Sequence, residues 1–335
     1  KTFDGIPAEN ARYLKGLIQD VREKLMSAEH TQASGMSAEI NALTRIYRGD
    51  FSSIGKDIHQ LLCTDTWLGQ ETSSLVEGWL KQRGASNVSV KRQVDLQTAS
   101  IDSFQLALSD LARWAGNEMP VYREKNYSII FNLTGGFKSV QGFLQVLGMF
   151  YADEMVYVFE TGGDLLRIPR LPVQMAVADS IREHLEQFRR MAAGCAVRNA
   201  DALPETMLLR IGGETALSPW GEIAWRESRQ AIYSEALHPS PSEKIRYGEH
   251  FPDSVKRHAA KRYADINRKI DDLMVFLEQG KNLQGLDFKP LTNNPVKGST
   301  HEIDAWHDGG AMRIFGHYEG GVFVLDRLDE ALHKG

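Results

Sequence analysis

Between residues 57 and 160 the apolar period switches repeatedly between two and three-to-four, which restricts the chain to few architectures. Asp57–Cys63 (DIHQLLC), Asn87–Val94 (NVSVKRQV), Tyr127–Leu133 (YSIIFNL) and Met155–Glu160 (MVYVFE) read as strands. Between them, residues 69–83, 102–117 and 139–152 return to helical spacing, through Leu75, Val76, Trp79 and Leu80 in the first. Strands interleaved with helices of this length build βαβ units. A mostly parallel, doubly wound, Rossmann-like α/β domain is therefore expected. Residues 1–48 read as helices, with Tyr13, Leu14, Leu17, Ile18, Val21 and Leu25 on one stripe. Ser37 caps a shorter helix, and residues 28–36 (AEHTQASGM) read as a loop.

Beyond this region Ile168–Pro172 (IPRLP) breaks structure, 173–193 reads as an amphipathic helix, and Ser218-Pro219 opens another. His238–Ser242 (HPSPS) has the composition of a linker. The last 95 residues then run as a short strand at Ile245–Phe251, a helical pair over 253–279 ended by Gly280, and three strands. Those strands are His301–Trp306, Ala311–Tyr318 and Val322–Leu325, joined by Gly-containing turns that favour hairpins. The expected organisation is a first domain over 1–170, a helical connector over 171–241, and an α+β domain with an antiparallel sheet over 242–335.

Composition excludes several classes. Of 335 residues, 42% are apolar and 25% charged, which rules out disordered and fibrous chains. No apolar run approaches a bilayer span, so a cytoplasmic protein without membrane contact is expected. Cys63 and Cys195 alone form neither a disulfide framework nor a thiolate metal site. The net charge is −5, yet residues 256–269 carry Lys256, Arg257, Lys261, Arg262, Arg268 and Lys269 against Asp265. Such a patch can track an RNA backbone; the plain alternative is a solvated helix face.

The sharpest local signal is Thr134-Gly135-Gly136-Phe137-Lys138-Ser139, which follows the strand YSIIFNL and opens a helix. Glycines permit close backbone approach, the helix N-terminus offers unpaired N–H groups, and Lys138 adds charge, all suited to phosphate. The spacing matches neither the Walker A loop nor G-x-G-x-x-G, and a plain βα turn is the alternative. A second polar turn, Thr64-Asp65-Thr66, follows the strand DIHQLLC, and both turns fall at carboxyl ends of strands. The run YSIIFNLTGGFKS, with CTDT upstream and FETGGDLLRIPRLP downstream, resembles the CARF domains of type III CRISPR ancillary proteins. The resemblance, over about residues 57–240, implies a homodimer that binds a cyclic oligoadenylate activator, the tetramer by symmetry. It assigns Thr134, Gly135, Gly136, Lys138 and Ser139 to that ligand, with Thr64, Asp65 and Thr66 beside them. The family's usual first strand, ending in a Gly-Thr-Ser-like turn, has no counterpart before Lys1–Phe3. The chain does not start with Met, so a missing first strand is expected.

The C-terminal region lacks the R-x-x-x-x-H mark of HEPN ribonucleases and an evident carboxylate cluster for a restriction-type nuclease. His301 and His307 in HEIDAWH, six apart, would lie about 240° around a helix, so no metal is expected there. Residues 244–335 instead resemble RelE/HigB toxins, through a basic helical pair followed by antiparallel strands. That resemblance implies a metal-independent, cofactor-free endoribonuclease that cuts mRNA in the ribosomal A site. Arg313 takes the place of the family's phosphate-clamping arginine, Lys289 and Lys297 lie on the preceding loop, and His301 replaces a tyrosine. His333-Lys334 replaces the terminal basic pair, Asp304 stands where the family has Arg, and His307 is a further acid/base candidate. The expected protein is a cyclic-oligoadenylate-activated mRNA interferase whose partners are the ribosome and mRNA, not DNA. A docking module without catalysis, or a ring nuclease that degrades its own ligand, are the alternatives.

Overall fold

The computed structural model describes residues 8–97, 100–159, 163–172, 175–198, 200–259, 261–292 and 296–331. It divides into two compact units, Lys1–Gln174 and Met175–Gly335, each a mix of helices and small sheets.

In the first unit three helices come first: α1 (Ala8–Ser27), α2 (His30–Ser34) and α3 (Ala38–Ile46). The segment expected as a loop thus holds a short helix, while Ser37 caps α3 as expected, accepting the Ile40 N–H at 3.3 Å. There follow β1 (Ile58–Cys63), α4 (Trp67–Gln82), β2 (Asn87–Arg92) and α5 (Ile101–Glu124). The unit closes with β3 (Ile130–Asn132), α6 (Lys138–Tyr151), β4 (Glu154–Val158) and β5 (Leu165–Pro169). Strands β1 and β2 pair in parallel from Ile58↔Asn87 to Cys63↔Arg92, and β3 pairs in parallel with β4. These are the βαβ crossovers that the alternating period predicts. They do not merge into the single doubly wound sheet expected: among the described residues the ladders form one two-stranded and one three-stranded sheet. β3 is only three residues long and pairs with β4. The third strand, β5, runs antiparallel to β4 and uses Ile168 and Pro169 of the segment expected to break structure. A proline is tolerated there because β5 is an edge strand. Trp79, fully buried, anchors a core with Leu25, Ile40, Ile54, Leu75 and Leu80.

In the second unit α7 (Ala178–Glu183) and α8 (Leu185–Ala192) replace the single helix expected over 173–193. A hairpin of β6 (Leu208–Ile211) and β7 (Glu214–Leu217) then leads into α9 (Pro219–Glu235), capped by Ser218. β8 (Ile245–Tyr247), α10 (Phe251–Ala259) and α11 (Tyr263–Gln279) follow, the last ended by Gly280 at φ +71°. The strands β9 (Lys289–Pro290), β10 (His301–Trp306), β11 (Met312–Glu319) and β12 (Val322–Glu330) complete a five-stranded sheet of order β8-β12-β11-β10-β9. Antiparallel pairing from β10 to β12 is as expected; β9, which places Lys289 on a strand and not on the expected loop, adds antiparallel to β10, and β8 joins in parallel. One face of this sheet packs Ile303, Ile314, Phe323 and Leu325 against Val255, Ile266, Ile270 and Leu273 of α10 and α11.

The Pro/Ser segment 238–242 is held firmly. Arg189 and Arg190 of α8 donate to the Pro239 and Pro241 carbonyls at 2.7 and 2.8 Å, and Ser242 Oγ donates to Glu278. Beside this network, burial pushes the Asp272 carboxyl up to about 6, with Asp271 adding to the rise against Lys269. The ordinary carboxylate value near 4 holds for the unfolded chain. Between about pH 4 and pH 6 the folded state therefore binds more protons, and stability falls as pH rises through that window. Asp272→Asn is expected to gain about 1–2 kcal/mol in urea unfolding at pH 7.5 and nothing at pH 4. Equal effects at both pH values would refute this.

Candidate functional site

A cleft of about 510 Å³ opens in the first unit, within the range of nucleotide-sized sites. Its floor is the turn between β3 and α6. Gly136 sits at φ +98°, which side-chain-bearing residues rarely adopt, and a Cβ at Gly135 would collide with the Glu39 carboxylate. The turn is further fixed by Thr134, whose Oγ1 accepts the Val158 N–H at 3.2 Å, and by Gln141, which donates to the Gly135 carbonyl at 3.1 Å. At the N-cap of α6, Phe137 has no side-chain acceptor for the first-turn amides, and Lys138 is the first helical residue. Unpaired N–H groups and an ammonium thus meet at one wall. The other walls bring Arg45 from α3 and the ring pair Tyr157–Phe159 from the end of β4, their centroids 5.6 Å apart. Two cations beside two aromatic rings can hold phosphate and stack a base.

The cleft joins Thr134, Gly136 and Lys138 of the predicted set; Gly135 and exposed Ser139 belong to the same turn but are not among its lining residues. Thr64, Asp65 and Thr66 do not line it. Thr66 is spent as the cap of α4, accepting the Gly69 N–H at 3.0 Å, and its hydroxyl meets that of Thr64 at 2.9 Å. Asp65 is buried. Burial alone would raise its carboxyl, but the Asp95 amide and the Arg92 guanidinium outweigh that and hold it below the usual range. Arg45, Tyr157 and Phe159 escaped the sequence reading because they lie on other elements, brought together only by tertiary folding; Gln141 lies one turn into α6 itself and carries no charge to mark it.

In the second unit Lys289, His301 and Arg313 fall on the adjacent strands β9, β10 and β11, and each has its own partners. Lys289 pairs with Asp287 and, at 3.5 Å, with Glu302. Arg313 is paired across β10 and β11 with Asp304, which also meets His307 Nε2 at 2.7 Å. His301 lies in an aromatic enclosure, stacked at 5.0 Å on Phe288 and edge-on to Tyr318 and Phe323. Burial there lowers its imidazole below the ordinary histidine value, and the Thr300 hydroxyl meets its Nδ1 at 2.8 Å. His333 and Lys334 lie outside the described residues. Of the basic stretch, Arg262 pairs with Asp308 at 2.8 Å and stacks on Trp306, Arg268 pairs with Asp265, and Lys269 donates to the Gly285 carbonyl. Lys256, Arg257 and Lys261 are exposed.

Lys297 instead lines a second cleft, of about 460 Å³, together with Arg257 and Arg327 and three histidines, His250, His258 and His317. His317 Nδ1 lies 2.9 Å from Asp326, which also accepts a 2.7 Å bond from Ser299 Oγ. No local pattern marks this site: Val322–Leu325 is an unbroken apolar run, so the sequence shows no alternation that could slip at Asp326.

Residues 34–171 match the family model for a CRISPR-associated protein (Cas_APE2256). The match spans less than half of the chain, yet it contains every lining residue of the first cleft, from Ala38 to Gly163. No curated protein matches the chain. Among the described residues no helix is long and apolar enough to cross a membrane.

Proposed function

We propose that the chain is a CRISPR-associated effector in which the first unit binds a cyclic oligoadenylate and the second cuts RNA. The observation that carries this reading is the first cleft. A Gly-Gly-Phe-Lys turn, an uncapped helix N-terminus, Arg45 and two aromatic rings converge inside the segment matching a CRISPR-associated family. Phosphates alternate with bases around a cyclic oligoadenylate, and the cleft offers partners for both. A two-fold homodimer would present two such clefts to one cyclic tetramer, and binding would favour one of two states of the dimer. The RelE-like arrangement of β9–β12 behind a basic helical pair supports a ribosome-dependent, metal-independent cut in the A site. Cleavage of that kind needs a base for the 2′-hydroxyl, cations for the charged phosphorane, and an acid for the leaving oxygen.

Toeprinting of a defined mRNA in a bacterial translation system tests the whole reading. Cuts at A-site codons are expected only with cyclic tetra-adenylate, and not on naked mRNA. Tight ligand binding without cuts would leave a regulated docking protein; disappearance of the ligand itself would indicate a ring nuclease.

A further inference from the structure

We propose that the RNA-cleaving centre of the second unit is the cleft around His317, with a single-stranded RNA phosphodiester as substrate and His317 as general base. The inference rests on the ribonuclease reading above and names different residues from those the toxin resemblance suggests.

The backbone is arranged to build this site. Along β11 and β12 the register runs Phe315↔Arg327 and then Gly316↔Leu325, leaving Asp326 as the extra residue of a β-bulge. Bulges re-aim side chains and recur beside active sites. Position 316 must be glycine, since a Cβ there would meet the Val324 carbonyl and lie 2.8 Å from the Phe323 ring. The bulge turns the Asp326 carboxylate towards His317, whose Nδ1 lies 2.9 and 3.0 Å from its two oxygens. Ser299, 1% exposed, donates to the same carboxylate and fixes its rotation. A base oriented by a third group is the general pattern for activating a hydroxyl. With Nδ1–H directed at Asp326, the Nε2 lone pair is the one that can take a proton, and among the described residues Nε2 makes no hydrogen bond.

The surroundings supply the remaining roles. Lys297 lies two residues before Ser299, and Arg257 projects from α10; both are exposed and line the cleft, where they can hold a phosphate. The α10 wall is tied to β12 because Ser254 Oγ accepts the Leu328 N–H at 2.9 Å. In the cleavage step His317 Nε2 takes the proton of the 2′-hydroxyl, and the 2′-oxygen bonds to phosphorus as the bond from phosphorus to the 5′-oxygen breaks. An imidazolium, His250 or His258, gives its proton to that leaving oxygen. The products are a 2′,3′-cyclic phosphate and a 5′-hydroxyl; His317 then gives its proton to water, and the acid histidine takes one up from water. By contrast, the Arg313 guanidinium is held by Asp304, and His301 is enclosed by aromatic rings.

The test compares the full chain with His317→Gln, Asp326→Asn, Arg257→Ala and Arg313→Ala, in the ribosome–mRNA assay with cyclic tetra-adenylate. His317→Gln should lose about 100-fold or more in rate. Asp326→Asn, a positioning change, should lower kcat while KM stays near the wild-type value. Arg257→Ala, a surface substitution that leaves folding intact, should lose about tenfold or more, because a charged hydrogen bond to phosphate contributes about 1.5–3 kcal/mol. Arg313→Ala should cleave at a rate within a few-fold of wild type once its thermal melt shows it folded. Wild-type cleavage that His317→Gln and Arg257→Ala leave within threefold would overturn this centre and spare the ribonuclease reading. A wild-type chain that cuts no RNA would overturn both.

Discussion

In a Lys138→Ala chain, cyclic tetra-adenylate is expected to bind about 10- to 100-fold more weakly, with no change in thermal stability. Lys138 is exposed and begins α6, so its removal exposes no core and breaks no cap. What it removes is an ammonium beside the unpaired amides of the helix N-terminus. A hydrogen bond between a charged donor and a phosphate contributes about 1.5–3 kcal/mol, which converts to that range of affinity. If two protomers share one ligand ring, each ligand loses two such contacts, about 3–6 kcal/mol in all, and the loss becomes about 100-fold or more. Arg45→Ala should weaken binding in the same direction, since Arg45 also lines the cleft. Calorimetric titration at two ionic strengths checks the cause. The wild-type affinity should fall with salt, and the Lys138→Ala affinity should fall less steeply. An unchanged dissociation constant in Lys138→Ala would remove the cleft from the ligand's path.

How far the sequence carries depends on whether a feature is local. The β3–α6 turn was legible because every part of it lies within Thr134–Ser139: the glycines, the helix start and the lysine are neighbours in the chain. The same holds for caps such as Ser37 and for Gly280, each of which acts on amides or carbonyls a few residues away. Thr64-Asp65-Thr66 looked alike in sequence but diverged in structure. Asp65 finds Arg92 and the Asp95 amide, partners about 30 positions further along, and becomes buried. The separation of the first unit's strands into two sheets has a related cause. Period-two patterns identify strands, but the pairing between β1 and β3 depends on long-range geometry that no local pattern encodes. In the second unit the availability of each basic candidate depends on a partner distant in sequence or on another strand: Asp304 engages Arg313 and His307, and Asp308 engages Arg262. The His317–Asp326 pair was hidden because a bulge, not a motif, brings the two together.

Arg189 gives the largest expected effect on stability. Its side chain is 1% exposed, and it donates to Asp271 Oδ1 at 2.7 Å, to the Pro239 carbonyl at 2.7 Å and to the Asn267 carbonyl at 3.2 Å. Tyr233 OH donates to the other Asp271 oxygen, and the guanidinium lies 5.4 Å from the Tyr233 ring centroid. Removing one partner of a buried pair leaves the other charge without compensation, at a cost of about 3–5 kcal/mol. Arg189→Ala should therefore lower the melting temperature of the second unit by about 10 °C, as 1 kcal/mol corresponds to about 2–4 °C in a domain of this size. Asp271→Ala should do much the same. The double variant Arg189→Ala/Asp271→Ala is the informative one, because it closes the cycle with both charges removed. Its loss should be well below the sum of the single losses, giving a coupling of about 2 kcal/mol or more. Additive losses would mean that Arg189 stabilises through the Pro239 and Asn267 carbonyls alone. The pair also explains why a Pro/Ser stretch with the composition of a linker is ordered. Joining α8, Pro239 and α11 through one guanidinium ties the segment to the second unit, and Arg190, bidentate to Glu278 at 2.9 Å, repeats the arrangement one residue on.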